Sequence, residues 1–316
     1  MKTKKKILIL GANGFIGKNI YQKLNVLDME LIAQDRNKCN LLDVLSIQQT
    51  LIEYTPTIII NCAGIIGSSE INKSKNQLDI MQSNIMMNSN LLLAIQDPAI
   101  NFVEQVFFFS SYRCFTTSQN VIIEDTIVDN FDLKQLLNNP NSGYLLSKVI
   151  LELQLNLFSK NSSIHINNLY IPNIFGELDY FNETSRIIPS LIYKITDLKK
   201  HNDTTLQKNC SPNISLNLLY INDLIKIIET IIVQKINCGN IILYNSNNNF
   251  TLINLLNILK EKIFPTLEIT FTQEEGVTNS PIFNSIKFDT LFPNWKFTSI
   301  DESLDNTIQH YLLNYM

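Results

Sequence analysis

The stretch KILILGANGFIG, residues 6–17, decides the fold of this chain. Its apolar part, Lys6–Leu10, predicts a buried β-strand, and the residues after it predict a helix. Between the two lie Gly11, Gly14 and Gly17, with the spacing GxxGxxG. Glycine lets the backbone turn tightly and approach a pyrophosphate, which binds the free amides of a helix N-terminus. In this context the stretch predicts dinucleotide binding; elsewhere it would indicate an ordinary strand–helix turn.

Outward from this stretch, short apolar runs alternate with longer helical patterns. The predicted strands are Lys6–Leu10, Glu30–Ala33, Thr57–Ile60, Gln105–Phe109 and Ile164–Tyr170, and the predicted helices are the one ending at Lys23, Ser46–Glu53, Gln77–Gln96 and Tyr144–Phe158. Continuously apolar strands between helices are typical of a parallel sheet that is covered on both faces. The sequence therefore predicts an α/β protein, a doubly wound parallel-sheet Rossmann fold with a smaller C-terminal substrate-binding region.

The pattern loosens after Pro172 and suggests a division into two domains. Residues 1–172 are predicted to form the dinucleotide-binding domain, to whose sheet residues 216–245 return through a helix at Leu216–Ile232 and a strand at Ile241–Tyr244. The substrate domain is predicted to comprise residues 173–215 and 246–316, with helices at Ile187–Leu198, Leu252–Lys262 and Ile300–Leu313.

The composition excludes several classes of protein. In 316 residues, 45% are apolar and 17% charged, which is typical of a globular chain, and the net charge of −4 argues against a nucleic-acid partner. The five cysteines form no CxxC pair and the three histidines are scattered, so we expect no disulfide framework, no metal site and a cytoplasmic location. Every apolar run is far shorter than the ~20 residues of a membrane span, and no membrane association is expected.

Tyr144 and Lys148 are four residues apart on a predicted helix and therefore share a face. A nearby cation lowers the pKa of a tyrosine, so we expect Lys148 to make Tyr144 a usable acid or base near neutral pH. The alternative is a Tyr–Lys pair on the surface. A third group, Ser110–Phe115, leaves the end of the fourth predicted strand, where open α/β sheets bind ligands. A serine there can hydrogen-bond a substrate carbonyl, or simply cap a turn.

Together with Asn61–Gly64 and Asn84, these groups resemble the extended short-chain dehydrogenase/reductase family over nearly the whole chain. The resemblance implies catalytic roles for Ser111, Tyr144 and Lys148, with Phe115 marking Ser111 rather than Ser110. It further implies contacts with an NAD(P) cofactor from residues of the glycine turn and of the loops after the strands, namely Gly11, Asn13, Gly14, Phe15, Ile16, Gly17, Asp35, Arg36, Asn40, Leu41, Cys62, Ala63, Gly64, Asn84, Tyr144, Lys148 and Ile171.

Within that family the chain is most similar to the GDP-L-fucose synthases and, mainly in its first half, to the dTDP-4-dehydrorhamnose reductases. The similarity lies in Met29–Asp43, Gln77–Ala94 and Ile171–Leu191. It implies a nucleotide-sugar substrate that is contacted by Ser111, Arg113, Asn173, Arg186 and Lys194. One departure is that Ser215 or Leu216 stands where the family usually has a diphosphate-binding arginine, so that Lys194 and Lys208 are candidates to compensate for it.

The choice between the two cofactors depends on the residues that follow the second predicted strand. Asp35 would accept hydrogen bonds from the adenosine ribose hydroxyls, which favours NAD(H). Gln34 replaces an arginine that fucose synthases use for the phosphate of NADP, whereas Arg36 is retained. Because the whole-chain resemblance is to enzymes that use NADPH, we expect NADP(H) rather than NAD(H).

The resemblance implies reduction of a nucleotide-linked 4-keto-6-deoxyhexose at C4. Fucose synthases also invert C3 and C5 with a cysteine and a histidine, whose positions here are Arg113 and Arg186. Arginine stays protonated and transfers protons poorly, so we expect no 3,5-epimerase activity. Cys114 is one residue further along and, on an extended segment, would face the other way as a buried thiol. The alternatives are a bifunctional epimerase/reductase, a nucleotide-sugar 4-epimerase, and a non-enzymatic NAD(P)-binding sensor.

The helix predicted at Tyr144–Phe158 is apolar around most of its circumference. Such a helix must be buried on more than one face. One face would cover the sheet, and the family resemblance implies that the other joins a four-helix dimer interface. We therefore expect a homodimer, the alternative being burial by the chain's own second domain.

Overall fold

The computed structural model describes residues 4–26, 28–66, 76–115, 127–129, 131–245, 248–273, 283–284 and 286–315. Its strands in chain order are β1 Lys5–Leu10, β2 Met29–Gln34, β3 Ile58–Asn61, β4 Gln105–Ser111, β5 His165–Ile171, β6 Asn173–Phe175, β7 Thr205–Lys208, β8 Ser215–Tyr220, β9 Gly239–Ile242, β10 Asn249–Thr251 and β11 Glu268–Phe271. Its helices are α1 Phe15–Lys23, α2 Val44–Tyr54, α3 Gln77–Ile95, α4 Leu133–Leu137, α5 Ser142–Ser159, α6 Ile187–His201, α7 Ile221–Gln234, α8 Leu252–Ile263, α9 Ile286–Leu291 and α10 Ile300–Tyr315.

The centre of the molecule is a parallel sheet of six described strands in the order β2-β1-β3-β4-β5-β9. The central strand β1 pairs with β2 on one side and β3 on the other, so that Ile9 lies opposite both Ala33 and Ile60. The order reverses at β1, as in a doubly wound sheet. This confirms the predicted fold class, and the five predicted strands of the first half lie within two residues of the observed ends.

Helices cover both faces of this sheet, which is why its inner strands are apolar at successive positions. On one face the β1 residues Ile7 and Ile9 join a core that includes α1 and α7. On the other face Leu8 and Leu10 pack with residues of α2, α3 and α5. Adjacent residues of a strand point to opposite faces, so each strand contributes to both cores.

The prediction for residues 216–245 was wrong in part. Leu216–Tyr220 is not the start of a helix but belongs to strand β8, and α7 begins only at Ile221. Moreover, β8 lies in a small three-stranded sheet of order β10-β8-β6, so that within this stretch only β9 returns to the main sheet. A short, continuously apolar run fits a buried strand and a buried helix equally well, so periodicity cannot separate the two. Pairing with β6 and β10, which are distant in sequence, decides the outcome.

Several short elements were not predicted. Strands β7 and β11 pair in parallel and form a separate two-stranded sheet, and α4 and α9 are helices of five and six residues. In the part of the chain that the structure describes, no helix is long and apolar enough to span a membrane. Those same residues contain no group of three or more His, Cys, Asp or Glu side chains that could hold a metal ion.

Candidate active site

The glycine turn between β1 and α1 forms a cradle in which side chains do not fit. Gly11 has a φ of +73°, and a Cβ atom there would lie 2.7 Å from the backbone nitrogen of Ala63. A Cβ atom on Gly17 would overlap the carbonyl oxygen of Gly11. The amide of Lys18 donates to the carbonyl of Gly14 over 2.8 Å, which closes the first turn of the helix. The amides before it have no helical acceptor and are suited to a pyrophosphate.

Asp35, directly after β2, lies beside this cradle. Its Oδ2 accepts a hydrogen bond from Nδ2 of Asn13 over 2.9 Å, and its Oδ1 accepts from the amides of Asn37 (2.9 Å) and Lys38 (3.2 Å). The carboxylate is thereby held at the edge of the sheet where the ribose of a dinucleotide binds. Arg36, next to it, is exposed.

Asn40 and Leu41, which were also predicted to contact the cofactor, differ in their exposure to solvent. Asn40 is exposed, and its Oδ1 caps the amide of Leu42. The side chain of Leu41 is buried in the core between α2 and α3, and its carbonyl oxygen accepts from Asn90 over 3.0 Å. The Leu41 side chain therefore packs the fold, and only Asn40 presents a polar group to solvent.

The loop after β3 is held in place by Asn84 of α3. Oδ1 of Asn84 accepts from the amide of Ile65 (2.8 Å), while its Nδ2 donates to the carbonyl of Ile65 (3.0 Å) and to Oγ of Ser147 (3.2 Å). Cys62 and Ala63 lie in this loop, and the Cys62 amide donates to the carbonyl of Leu10 over 2.9 Å. Asn84 itself is buried, so it positions the loop that borders the glycine turn.

Ser111 is the last residue of β4 and pairs in register with Ile171 at the end of β5. Its hydroxyl accepts from the amide of Arg113 over 3.3 Å, and its side chain lies close enough to Tyr144 to influence the pKa of the phenol. The neighbouring Ser110 instead faces Tyr170 and is completely buried. Of the two serines, Ser111 is thus the one beside the tyrosine of helix α5.

Tyr144 and Lys148 lie one turn apart on α5, as predicted. Nζ of Lys148 donates to the carbonyl of Phe109 over 2.7 Å and lies 5.7 Å from the centre of the Tyr144 ring. Burial lowers the pKa of Lys148 to about 8. Ser111, Tyr144 and Lys148, which are distant in sequence, therefore meet at the carboxyl edge of the sheet.

The pKa of Tyr144 is raised, not lowered as we expected. Burial disfavours its phenolate and outweighs the neighbouring positive charges of Arg113 and Arg186 and the influence of the Ser111 side chain. Lys148 does not offset this burial, so the expected lowering of the Tyr144 pKa by Lys148 was wrong. The phenol stays protonated at neutral pH, and its chemistry is that of a proton donor.

Cys114 lies in a single 3₁₀ turn, Tyr112–Cys114, and not on an extended segment. Its thiol is fully buried and donates to the carbonyl of Leu145 over 3.6 Å. Burial raises the Cys114 pKa to about 12. The predicted buried thiol is confirmed, although the turn rather than strand alternation determines where it points. Arg113, in the same turn, is exposed.

Two of the residues predicted to contact substrate, Arg186 and Lys194, lie at the start of helix α6 and within it. Arg186 precedes α6; its Nη2 donates to both carboxylate oxygens of Asp179 (2.8 and 2.9 Å), and its guanidinium lies 4.2 Å from the centre of the Phe15 ring. Lys194, two turns into α6, lies close enough to Lys208 that its charge contributes to a lowered Lys208 pKa, with burial as the larger cause.

The profile of the NAD dependent epimerase/dehydratase family matches residues 7–243 of this chain. The chain belongs to this family. A GDP-L-colitose synthase from Yersinia pseudotuberculosis is 31% identical over 192 residues, a match that covers 60% of each protein. A GDP-L-fucose synthase from Dictyostelium discoideum is 21% identical over 324 residues, covering 99% of this chain and 97% of that protein.

Solved structures of the epimerase/dehydratase type share the fold over the full chain. A GDP-L-fucose synthetase from Naegleria fowleri bound to NADP has a TM-score of 0.81 and 20% identity, and covers 100% of this chain and 95% of that one. A GDP-6-OMe-4-keto-L-xylo-heptose reductase from C. jejuni has a TM-score of 0.82 and 16% identity, with 99% of each chain covered. The predicted family, fold and NAD(P)-dependent enzyme are confirmed; the roles of individual residues stay predictions.

Sequence reasoning missed four residues that make contacts around the candidate site: Lys18, Tyr112, Asp179 and Tyr180. The segment after β6 lies over the glycine turn: the Tyr180 hydroxyl donates to the carbonyl of Asn13 over 3.2 Å, and Lys18 lies 4.8 Å from the centre of the Tyr180 ring. Asp179 holds Arg186, and Tyr112 contacts Asn173. No spacing in the sequence signals these contacts, because each joins residues far apart in the chain or in a loop.

Proposed function

We propose that this protein reduces a nucleotide-linked 4-keto-6-deoxyhexose at C4, with NADPH as the hydride donor and without 3,5-epimerase activity. The observation that carries the proposal is the meeting of three side chains at the carboxyl edge of the sheet: Ser111 at the end of β4, and Tyr144 and Lys148 one turn apart on α5, with Lys148 held by the carbonyl of Phe109. Burial raises the pKa of Tyr144 and keeps its phenol protonated. Reduction of a ketone needs one hydride at carbon and one proton at oxygen. Family membership supports the dinucleotide, and the relatives named for GDP-sugar synthesis support the substrate class.

The residues of the cradle fit an NAD(P) cofactor. A glycine turn with no room for a Cβ atom is what close approach of a pyrophosphate requires, and Asp35 lies where the adenosine ribose would be. The bound dinucleotide supplies the hydride. Exposed Arg36 is a cation available for the phosphate of NADP. Parallel kcat/KM measurements with NADPH and NADH test this choice; a preference for NADH would reverse it.

Residues of the chain then supply the proton and orient the ketone. Tyr144 donates its phenolic proton to the carbonyl oxygen, which becomes the C4 hydroxyl, and Ser111 hydrogen-bonds that same oxygen and orients the ketone. Lys148 holds its ammonium between the carbonyl of Phe109 and the Tyr144 ring, where it would contact the nicotinamide ribose. The tyrosinate left behind is reprotonated from solvent before the next turnover.

The absence of epimerisation is supported by what surrounds Tyr144. Inversion of C3 or C5 needs one group that removes a proton and another that delivers one to the opposite face. Arg186 is held by Asp179 and stacked on Phe15, and a guanidinium does not exchange protons at neutral pH. The Cys114 thiol is buried against Leu145, and its raised pKa keeps it protonated.

Reduction in heavy water separates the reductase from a bifunctional enzyme. The protein is incubated with NADPH and a panel of nucleotide 4-keto-6-deoxy sugars, and the product is examined by NMR. We expect stoichiometric loss of NADPH and no deuterium at C3 or C5. Deuterium there at a rate comparable to reduction would overturn the proposal, and its loss in Cys114→Ala would identify the base. Product formed without net loss of NADPH would indicate a 4-epimerase.

The diphosphate of the substrate is proposed to bind between Lys194 and Lys208. At about 1.5 Å per residue, Lys194 lies roughly 12 Å along α6 from Arg186, a distance comparable to a hexose with its diphosphate. The lowered pKa of half-buried Lys208 arises from burial and from the charge of Lys194. An anion between the two would relieve this repulsion. Neither Ser215 nor Leu216, one of which stands at the position of the family's arginine, carries a charge, and Leu216 is buried in the core.

We also propose that the enzyme is a cytoplasmic homodimer. All five cysteines are free thiols, as suits a reducing compartment. Outward-facing apolar side chains follow α3 and α5: Leu93 is 57% exposed and Leu157 65%. They border a groove of about 520 Å³ between the two helices. A second copy of the same helix pair would cover this face. Light scattering at micromolar concentration should give twice the mass of a monomer. The Leu157→Asp variant should give the mass of a single monomer.

A further inference from the structure

Asn173 lies beside Ser111 and is held by two hydrogen bonds. Ser111 pairs with Ile171, and Asn173 follows two residues later at the start of β6. Its Nδ2 donates to the hydroxyl of Tyr112 over 2.7 Å and to the backbone carbonyl of Asn217 over 3.0 Å. A backbone carbonyl only accepts, so the nitrogen of the Asn173 amide must face β8, and the orientation of the amide is fixed.

This arrangement determines what Asn173 can offer to a ligand. A primary amide has two N–H donors and one carbonyl oxygen. Tyr112 and Asn217 take both donors, which leaves Oδ1 as the group free to bind. The side chain is half-buried, and Oδ1 is not enclosed by the protein, so it is open to a ligand. In this chain Asn173 therefore acts as a hydrogen-bond acceptor and selects a donor.

Tyr112 is well suited to hold the amide in place. It follows Ser111 directly, its side chain is 8% exposed, and its ring meets Phe283 edge-on at 6.1 Å. Burial raises the Tyr112 pKa, despite Arg113 and the hydrogen bond from Asn173, so the hydroxyl stays neutral. A rigid ring packed next to the catalytic serine fixes the distance between Ser111 and the Asn173 amide.

We propose that Tyr112 is a positioning residue that orients Asn173, and that Asn173 accepts a hydrogen bond from a hydroxyl of the sugar. This inference rests on the proposed function, because it concerns the same keto-sugar. It adds a specificity: the substrate must carry a free hydroxyl at the ring position next to Oδ1. An analogue that is deoxy or O-methylated there lacks the donor and binds weakly.

The test compares Tyr112→Phe with Tyr244→Phe. Tyr244 packs against the same Phe283, at 5.3 Å, so the control also removes a hydroxyl next to this aromatic ring. We expect Tyr112→Phe to raise KM for the keto-sugar about five- to tenfold, as for one lost hydrogen bond. The kcat and the affinity for NADPH should change by less than about twofold, and Tyr244→Phe should match wild type throughout.

A double-mutant cycle isolates the contact. Asn173→Ala should raise KM at least as much as Tyr112→Phe, and adding Tyr112→Phe to Asn173→Ala should have no further effect. Wild-type KM in Tyr112→Phe, or fully multiplicative effects in the double variant, would overturn this inference and leave the reductase proposal standing. A wild-type protein that neither reduces nor binds any sugar of the panel would overturn both.

Discussion

The proposed cofactor side and the proposed sugar side of the candidate active site are built in different ways. The proposed cofactor side consists mainly of a glycine turn, its backbone amides and the loops that directly follow strands β1 to β3, so most of its residues lie within the first 64 of the chain. The sugar side is built from side chains of β4, α5, β6, α6 and β7, which come together only in the folded chain. A site made of backbone groups can therefore be recognised from a local sequence motif, whereas the residues of a site made of side chains are scattered along the sequence.

The largest expected effect tests the point where the two sides meet. Tyr144→Phe removes the proton donor but keeps the ring. We expect kcat to fall by about 10²–10⁴-fold, the usual contribution of a general acid, with unchanged affinity for NADPH. Stopped-flow absorbance and a fluorescence titration measure the two. Tyr21→Phe, on the exposed surface of α1, is the matched control. Activity of Tyr144→Phe within tenfold of wild type would assign the proton to another group.

Next in size is the loss of the glycine cradle. Gly17→Ala should weaken NADPH binding about ten- to hundredfold, because its Cβ overlaps the carbonyl of Gly11 and backbone strain of this kind costs about 1–3 kcal/mol. Gly14→Ala is the control, since its Cβ would lie 3.3 Å from the same oxygen and needs only a small shift. Isothermal titration gives the affinities, and circular dichroism shows that each variant is folded. Equal affinities for the two variants would contradict the cradle.

The pH dependence separates the two residues of α5. Lys148, with a pKa of about 8, is charged below that pH and neutral above it, whereas Tyr144 stays protonated well beyond. If the ammonium binds the nicotinamide ribose, kcat/KM for NADPH should fall about tenfold for each further pH unit above 8. In Lys148→Arg the guanidinium keeps its charge, so this decline should vanish whatever the absolute rate. A wild-type profile that is flat to pH 10 would contradict the role of Lys148.

The smallest expected effect concerns the proposed contacts of Lys194 and Lys208 with the diphosphate of the substrate. Lys194→Ala and Lys208→Ala should each raise KM for the nucleotide sugar about five- to tenfold with unchanged kcat, as for a lost contact with a half-exposed phosphate. The wild-type affinity for a free nucleoside diphosphate should decrease with salt more steeply than that of either variant. Lys200→Ala, an exposed lysine of the same helix, is the control. Variants that bind like the control would place the diphosphate elsewhere.

The sequence predicted the main sheet and the cofactor loop closely, and the second half less well. Periodicity identified β1 to β5 because each is a short apolar run between helices, and the helix pattern placed Tyr144 one turn before Lys148. It failed at Leu216–Tyr220, where an apolar run without a turn signal fits a helix or a strand. It also gave the wrong direction for the pKa of Tyr144, because burial depends on every element that packs around the ring.

The amino-acid pattern alone was sufficient to predict the parallel sheet, the glycine turn and the face of α5 that carries Tyr144 and Lys148. Those features follow from local rules: glycine where a Cβ cannot fit, apolar runs where both faces are covered, and an i, i+4 spacing on a helix. Two contacts are visible only in the folded chain: Asp179 holds Arg186, and the Tyr112 hydroxyl accepts a hydrogen bond from Asn173. Tyr112 and Asn173 are 61 residues apart, and no periodicity of one strand or helix encodes such a pairing. It arises because neighbouring strands end at the same edge of the sheet and bring their loops together.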